Sequence, residues 1–349
     1  MAPGRWGPGT NVYIAGHNLI KAHTAAYRLY NETYRVQSPG GKGQVGISLR
    51  TDFNLPKDKS NRNDEEAAER GRQFQVGWFA SPLLAETGDY PQVMKTNVNL
   101  RRSYQDRLPE FSEDEKTANF GATDFLGLNY YTSKLTSPSK PHFDHPSYER
   151  DMDIQVEQPR ADPRGLGEAL RWIKTTYDNV PVYITENGVV DENGTLEDVH
   201  RVTFFRQHLN QVLKAIKQDH CDVRGFVASS LLDSFTGVAG YSHKFGLFHV
   251  DFSDKARSRS PKASALALTN VIRDNGFRRG YRFVWGGACG SDDGNSVDVN
   301  ILKKLGVSHY SFYFSWSRLM PKGNDAEFEE KQVKYYNNLI NELRAHNIE

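Results

Sequence analysis

The chain has 349 residues, enough for one large domain or two ordinary ones, and its 44 Lys and Arg against 43 Asp and Glu leave a net charge of +1, which excludes the strong fields that gather nucleic acid or anionic membrane. Cys221 and Cys289 are the only cysteines, which excludes a disulfide framework and a cysteine-based zinc cluster and leaves room for one bridge. No run reaches the roughly 20 apolar residues of a membrane span, the opening MAPGRWGPGT lacks the order of a secretory signal, and an aromatic content of 12% suits sugar stacking and an ordinary core alike.

Residues 12–35 place Ile14, Leu19, Ile20, Ala25, Ala26 and Leu29 at helical spacing, predicting a helix that Pro39-Gly40-Gly41 stops. Asn31-Glu32-Thr33, and later Asn193-Gly194-Thr195, match the glycosylation acceptor pattern, a weak signal. Gln44 to Leu49 reads as a strand ending near Asp52, residues 64–86 as a helix with an acidic start, and Asp124 to Thr132 as the next strand. Residues 135–163 are rich in Pro, His and Asp without periodicity and predict a long surface loop at the rim of the fold.

A helix over 165–178 leads into Val182-Tyr183-Ile184-Thr185-Glu186, a strand by its β-branched and aromatic residues. Asn187-Gly188 then predicts a tight turn. Glu186 therefore sits at a strand's carboxyl end, where a barrel of parallel strands assembles its chemistry. From this short stretch alone, a solvated glutamate on a surface hairpin is an equal reading.

A helix over 197–219, a strand over 224–232 and a helix from Pro261 to about Asn275 continue the alternation. A strand over 282–288, a helix over 297–305 and a strand over 308–316 complete it. Six strands alternating with helices predict a parallel sheet. An open doubly wound sheet accommodates six, but no Gly-rich phosphate loop follows any of them, so the barrel is the better reading. His17 and His23 lie on a helix and His142 and His145 in a loop, and none has the spacing of a metal ligand. No metal site and no cofactor is implied.

GHNLIKAHTAAYRLY (16–30), QVGISL (44–49), GWFASPLLAETGDYPQVM (77–94), RLPEFSEDEK (107–116), DFLGLNYYTS (124–133) and YITENG (183–188) follow one another along the chain. In that order they resemble segments of glycoside hydrolase family 1, the β-glucosidase and lactase group that also includes the Klotho proteins. SLLDSF (230–235), GYSHKFGLFHVDF (240–252) and PKASALALTNVIRDNGF (261–277) continue the resemblance. FVWGGA (283–288), KKLGVSHYSFYFSWSRLMPKG (303–323) and KYYNNLINELRAHNIE (334–349) then resemble the family's amino-terminal part, so the order is rotated.

The resemblance implies an α/β fold of the (β/α)8 TIM-barrel type with about six of eight strands present. Residues 1–277 correspond to the carboxyl two-thirds of a barrel. Residues 278–349 either dock in the same barrel or start a tandem module, as in the lactase-like branch. It also implies a retaining double displacement on β-glycosides, in which one carboxylate attacks the anomeric carbon and a second protonates the leaving oxygen. Glu186 matches the nucleophile, Tyr131 its hydrogen-bond donor, and Asn129, two residues earlier on the same strand face, a sugar contact. Barrel filling and strand-end capping are the alternatives for Tyr131 and Asn129.

Several family elements are missing or replaced. The Asn-Glu-Pro motif that carries the acid does not occur in these 349 residues, nor does the His-Trp-Asp motif of the third strand. Ser311 stands where the family has an arginine, and Ser229, Ser234, Thr236 and Gly237 stand where it has Trp, Asn, Glu and Trp. These departures imply impaired turnover of ordinary glycosides, or a Klotho-like binding module without activity, or a fragment of a tandem protein. Misordered exons would produce the same sequence. Without the third and fourth strands the sheet has open edges, which predicts aggregation or a partner chain or module covering them.

Overall fold

The computed structural model describes residues 7, 9–37, 43–100, 107–139, 146–191, 194–277, 294–321 and 328–349. Pro39-Gly40-Gly41, His142, His145, Asn193, the expected 282–288 strand and Cys289 lie outside them. The chain divides into two compact units, Met1–Asn187 with Gln207–Phe226, and Gly188–Arg206 with Val227–Glu349.

The first unit is built on a five-stranded sheet. Its strands are β1 (Ile47–Pro56), β2 (Leu126–Pro138), β3 (Ile154–Val156), β4 (Val182–Asn187) and β5 (Val223–Ala228), in the order β1-β2-β4-β5 with β3 paired to β2. β1, β2 and β4 run parallel, the α/β arrangement expected from strands separated by helices. One sheet face is apolar. Leu49 and Phe53 of β1, Leu128 and Tyr130 of β2, and Val182 and Ile184 of β4 pack against Leu166, Leu170 and Ile173 of the Pro163–Thr176 helix. That helix starts on Asp162, whose side chain accepts from the Arg164 N–H, with Pro163 in the first turn.

The helix expected over 12–35 runs as Asn11–Leu29 with a continuation through Tyr34, and buries Tyr13, Ile20 and Tyr27. The one expected over 64–86 spans Arg62–Arg72, a wider turn at Gln73–Gly77, and Trp78–Leu84.

The expectation of an irregular loop over 135–163 needs correction. β2 continues to Pro138, a short helix covers Tyr148–Asp151, and β3 pairs antiparallel with the end of β2. The cause is one fully buried carboxylate. Asp151 receives both Arg107 terminal nitrogens at 2.8 Å and the Tyr13 hydroxyl at 2.5 Å. Removing that charge from water is tolerable only because it is fully paired, so this stretch is tied to its unit.

In the second unit β6 (Phe248–Val250) and β7 (Arg259–Pro261) form an antiparallel pair, and helices follow at Ala263–Asp274, Gly294–Leu305 and Glu330–Ala345. Val299, Leu302, Leu339, Leu343 and Ile348 make a small core with Leu231 against it. Residues 308–316, expected as a strand, belong to no sheet, and Trp316 already starts a short helix, Trp316–Leu319. The alternation is present, with Tyr310 and Phe312 packed on the small core and Tyr313 exposed. A strand also needs a neighbouring backbone. Here the Glu349 carbonyl accepts from Tyr310 N–H and the Ser308 carbonyl from Glu349 N–H, which is too little for a ladder.

Candidate active site

The polar face of the first unit's sheet carries the candidate residues Asn129, Tyr131 and Glu186. On β2, Leu128 and Tyr130 are buried in the core while Asn129 and Tyr131 face the other way, partly exposed, as the period of two requires. Glu186 is the penultimate residue of β4, at the carboxyl end of a parallel strand, so the expected position at the rim is the observed one.

Two register shifts aim these side chains. Between β2 and β4 the pairing passes from Gly127↔Tyr183 to Asn129↔Glu186, so β4 uses one more residue than β2 over the same step. Thr185 and Glu186 consequently both reach the side chains of Asn129 and Tyr131, although neighbours on a regular strand point apart. Between β1 and β2 the pairing passes from Thr51↔Tyr130 to Asp52↔Thr132, leaving Tyr131 as the extra residue. The result is direct contact. The Tyr131 hydroxyl donates to Glu186 Oε2 at 2.7 Å.

Asn129 lies in a compact cluster. Its Oδ1 accepts from Thr185 Oγ1 at 2.6 Å and from Ser48 Oγ at 3.1 Å, and the two hydroxyls are 2.7 Å apart. Farther along β1, Asp52 accepts from Thr132 Oγ1 at 2.7 Å and pairs with Lys134 at 3.2 Å. Ser48, Thr185, Asp52 and Lys134 were not singled out from the sequence. Ser48 is two residues from Arg50 and four from Asp52 on the polar face of β1, a same-face spacing that could have flagged them.

The turn expected at Asn187-Gly188 is absent. Asn187 ends β4 and donates from Nδ2 to the Tyr130 carbonyl at 2.8 Å. Gly188 is required for another reason: within the second unit, a Cβ there would stand 2.0 Å from the Ser229 carbonyl oxygen. Glycine here permits a close approach rather than a left-handed turn.

Thr236 and Gly237, noted in the sequence as departures from the resemblance, form local structure in the second unit. Thr236 Oγ1 donates to the carbonyls of Ser234 and His243 at 3.3 and 3.2 Å, and Gly237 opens a short 3-10 turn. Among the described residues no group of three or more His, Cys, Asp and Glu could hold a metal ion. His17 is bonded to the Tyr90 hydroxyl at 2.7 Å and stacked on Phe111, and His23 is bonded to the Ala122 carbonyl at 2.8 Å. Burial lowers the pKa of both rings. No described helix is long and apolar enough to cross a membrane.

A profile described as Glycosyl hydrolase family 1 matches residues 1–277 and 286–349. The chain is 36% identical to lactase/phlorizin hydrolase of Homo sapiens, across 99% of its own length and 21% of that protein's. It is 38% identical to cytosolic beta-glucosidase of Homo sapiens, across 77% of its own length and 60% of that protein's. A crystal structure of a rice beta-glucosidase matches with a TM-score of 0.69 at 33% identity, covering 75% of this chain and 60% of the other. One from the fungus Humicola insolens, in complex with glucose, matches at 0.70 and 30%, covering 79% and 60%. The chain thus spans between 21% and 60% of the curated relatives just described.

Proposed function

The chain belongs to glycosyl hydrolase family 1, and from that premise we propose that it acts on β-glucoside-like O-glycosidic bonds with Glu186 as nucleophile. The observation that carries this reading is the 2.7 Å hydrogen bond from Tyr131 to Glu186 at the carboxyl end of parallel strands. Glu186 attacks the anomeric carbon, the bond to the leaving oxygen breaks with its electron pair, and a glycosyl ester forms on the carboxylate. The Tyr131 hydroxyl holds Oε2 and so fixes the plane of the attacking group. Asn129, paired with Glu186 across the strands, contacts the sugar.

The same reading limits the substrate. With no Asn-Glu-Pro acid in the chain, an alkoxide leaving group has no proton supplied to it, whereas an acidic phenol leaves without one. The test is a rapid-mixing experiment with 2,4-dinitrophenyl β-D-glucoside. One equivalent of dinitrophenolate released in a burst, with the sugar recovered on the Glu186 peptide, supports the reading. Methyl β-D-glucoside should turn over far below the roughly 1–1000 s⁻¹ of ordinary enzymes. Binding of sugar or of a protein partner without any burst would instead support the binding-module reading.

We infer that residues 278–349 correspond in sequence to the start of a second module, while their described part packs in one compact unit with Val227–Phe277, where Leu231 lies against its small core. The alignment to lactase/phlorizin hydrolase runs through 99% of the chain, whereas that to cytosolic beta-glucosidase runs through 77%. A relative in which one module follows another accounts for the tail in this order. Sequencing the transcript across residues 275–300 tests it, and a junction that joins unrelated exons would overturn it.

A further inference from the structure

Asn129, Thr185 and Ser48 come from three adjacent strands, and their polar atoms close a triangle with sides of 2.6, 2.7 and 3.1 Å. Each hydroxyl has one hydrogen to give. Thr185 spends its hydrogen on Asn129 Oδ1. Ser48 lies within reach of both Thr185 Oγ1 and Asn129 Oδ1 and points its hydrogen into the same corner. The amide oxygen of Asn129 is therefore occupied by protein donors. Its Nδ2, with two hydrogens, has no protein partner among the described residues, and the side chain is partly exposed beside Glu186.

We propose that Thr185 and Ser48 are positioning residues that lock the Asn129 amide as a donor-only contact, so that a ligand at the Glu186 site must present an acceptor oxygen to Nδ2. The proposal rests on the glycoside reading of that site and says how it selects. Without the two hydroxyls the amide can rotate about its last side-chain torsion and present its oxygen instead, which exchanges a donor for an acceptor at the same place. A sugar hydroxyl that accepts from Nδ2 then loses its partner. Thr185 faces Asn129 by ordinary alternation, opposite to Val182 and Ile184 in the core, and the extra residue in β4 brings Glu186 to that same side.

The experiment compares the wild-type chain with Thr185→Val, Thr185→Ser and Ser48→Ala in the dinitrophenyl β-D-glucoside burst. Valine keeps the shape and removes the hydroxyl, and serine restores it. The concentration giving half the maximal burst rate should rise about five- to tenfold in Thr185→Val, less in Ser48→Ala, and return near wild type in Thr185→Ser, while the saturating rate constant moves less. Unchanged melting curves separate this from loss of fold. Equal half-maximal concentrations in Thr185→Val and wild type, or equal losses in the valine and serine variants, overturn the positioning role while the burst itself leaves the hydrolytic reading intact. If the wild type gives no burst, hydrolysis is rejected and the same variants are titrated with methyl β-D-glucoside by NMR. Weaker binding in Thr185→Val, restored in Thr185→Ser, still supports the positioning role, and no binding in any of them overturns it.

Discussion

The phenol of Tyr131 and the carboxylate of Glu186 meet at 2.7 Å although 55 residues separate them in the chain. Each stands at an irregularity in its strand: Tyr131 is the residue that β2 adds opposite β1, and Glu186 closes the step in which β4 adds one opposite β2. Bulges increase local twist and re-aim side chains, and here two of them converge on one pair.

Removing the donor should leave the carboxylate in place without the hydrogen bond from Tyr131. A hydrogen bond to a charged group contributes about 1.5–3 kcal/mol, so Tyr131→Phe should slow the dinitrophenyl glucoside burst by roughly 10- to 100-fold. Glu186→Gln should abolish it. A burst of wild-type rate in Tyr131→Phe would show that the contact does not serve the nucleophile.

Gly188→Ala places a methyl group against the Ser229 carbonyl, a backbone atom that has no side-chain freedom to yield. Gly165→Ala meets Ser133 Oγ and the Tyr130 hydroxyl, where a Cβ would lie 1.8 and 2.5 Å away. Overpacking of this kind costs about 1–3 kcal/mol. Urea unfolding should show both variants less stable. An alanine at 188 with unchanged stability would mean that this backbone relaxes freely.

Lys262 is fully buried in the second unit, with Nζ 3.1 Å from both Asp191 Oδ2 and Asp233 Oδ1. Lys262→Met leaves those two carboxylates buried without their cation and should cost about 3–5 kcal/mol. Lys59→Ala removes an ion pair to Glu168 of similar length, 2.8 Å, on a lysine side chain that is 70% exposed, and should cost under about 1 kcal/mol. Denaturant melts of the two variants side by side check the contrast, and similar losses would contradict it.

Burial raises the phenol pKa of Tyr13, Tyr90, Tyr130 and Tyr148, and pushes that of Tyr177 up to about 12. At Tyr13 the hydrogen bond to Asp151 adds to burial. The ordinary value is 10.0, so the folded chain holds these protons more tightly than the unfolded chain. Their contribution to stability is complete below pH 10 and is lost as pH rises through the folded values. Thermal midpoints should fall above about pH 10, with tyrosinate absorbance appearing together with unfolding. Gradual ionisation of all tyrosines without unfolding would contradict the burial of these rings.

Much of the fold and part of the site were legible along the chain. The helix over 12–35, the strands near 45–52, 124–132, 181–186 and 224–232, and the position of Glu186 at a strand end follow from periodicity and propensity, which act over a few residues. Asn129 and Tyr131 were legible as one face of a strand for the same reason.

Other features depend on a partner distant in sequence, and only the tertiary structure decided them. Residues 308–316 alternate like a strand, yet a strand exists only beside another backbone. Gly188 reads as a turn glycine until Ser229 is placed against it. The tie from Arg107 to Asp151 turns an apparent loop into ordered structure. An extra residue in β4 brings Glu186 to the side that Thr185 already faces, because register is set by pairing with a neighbouring strand that the local sequence does not contain.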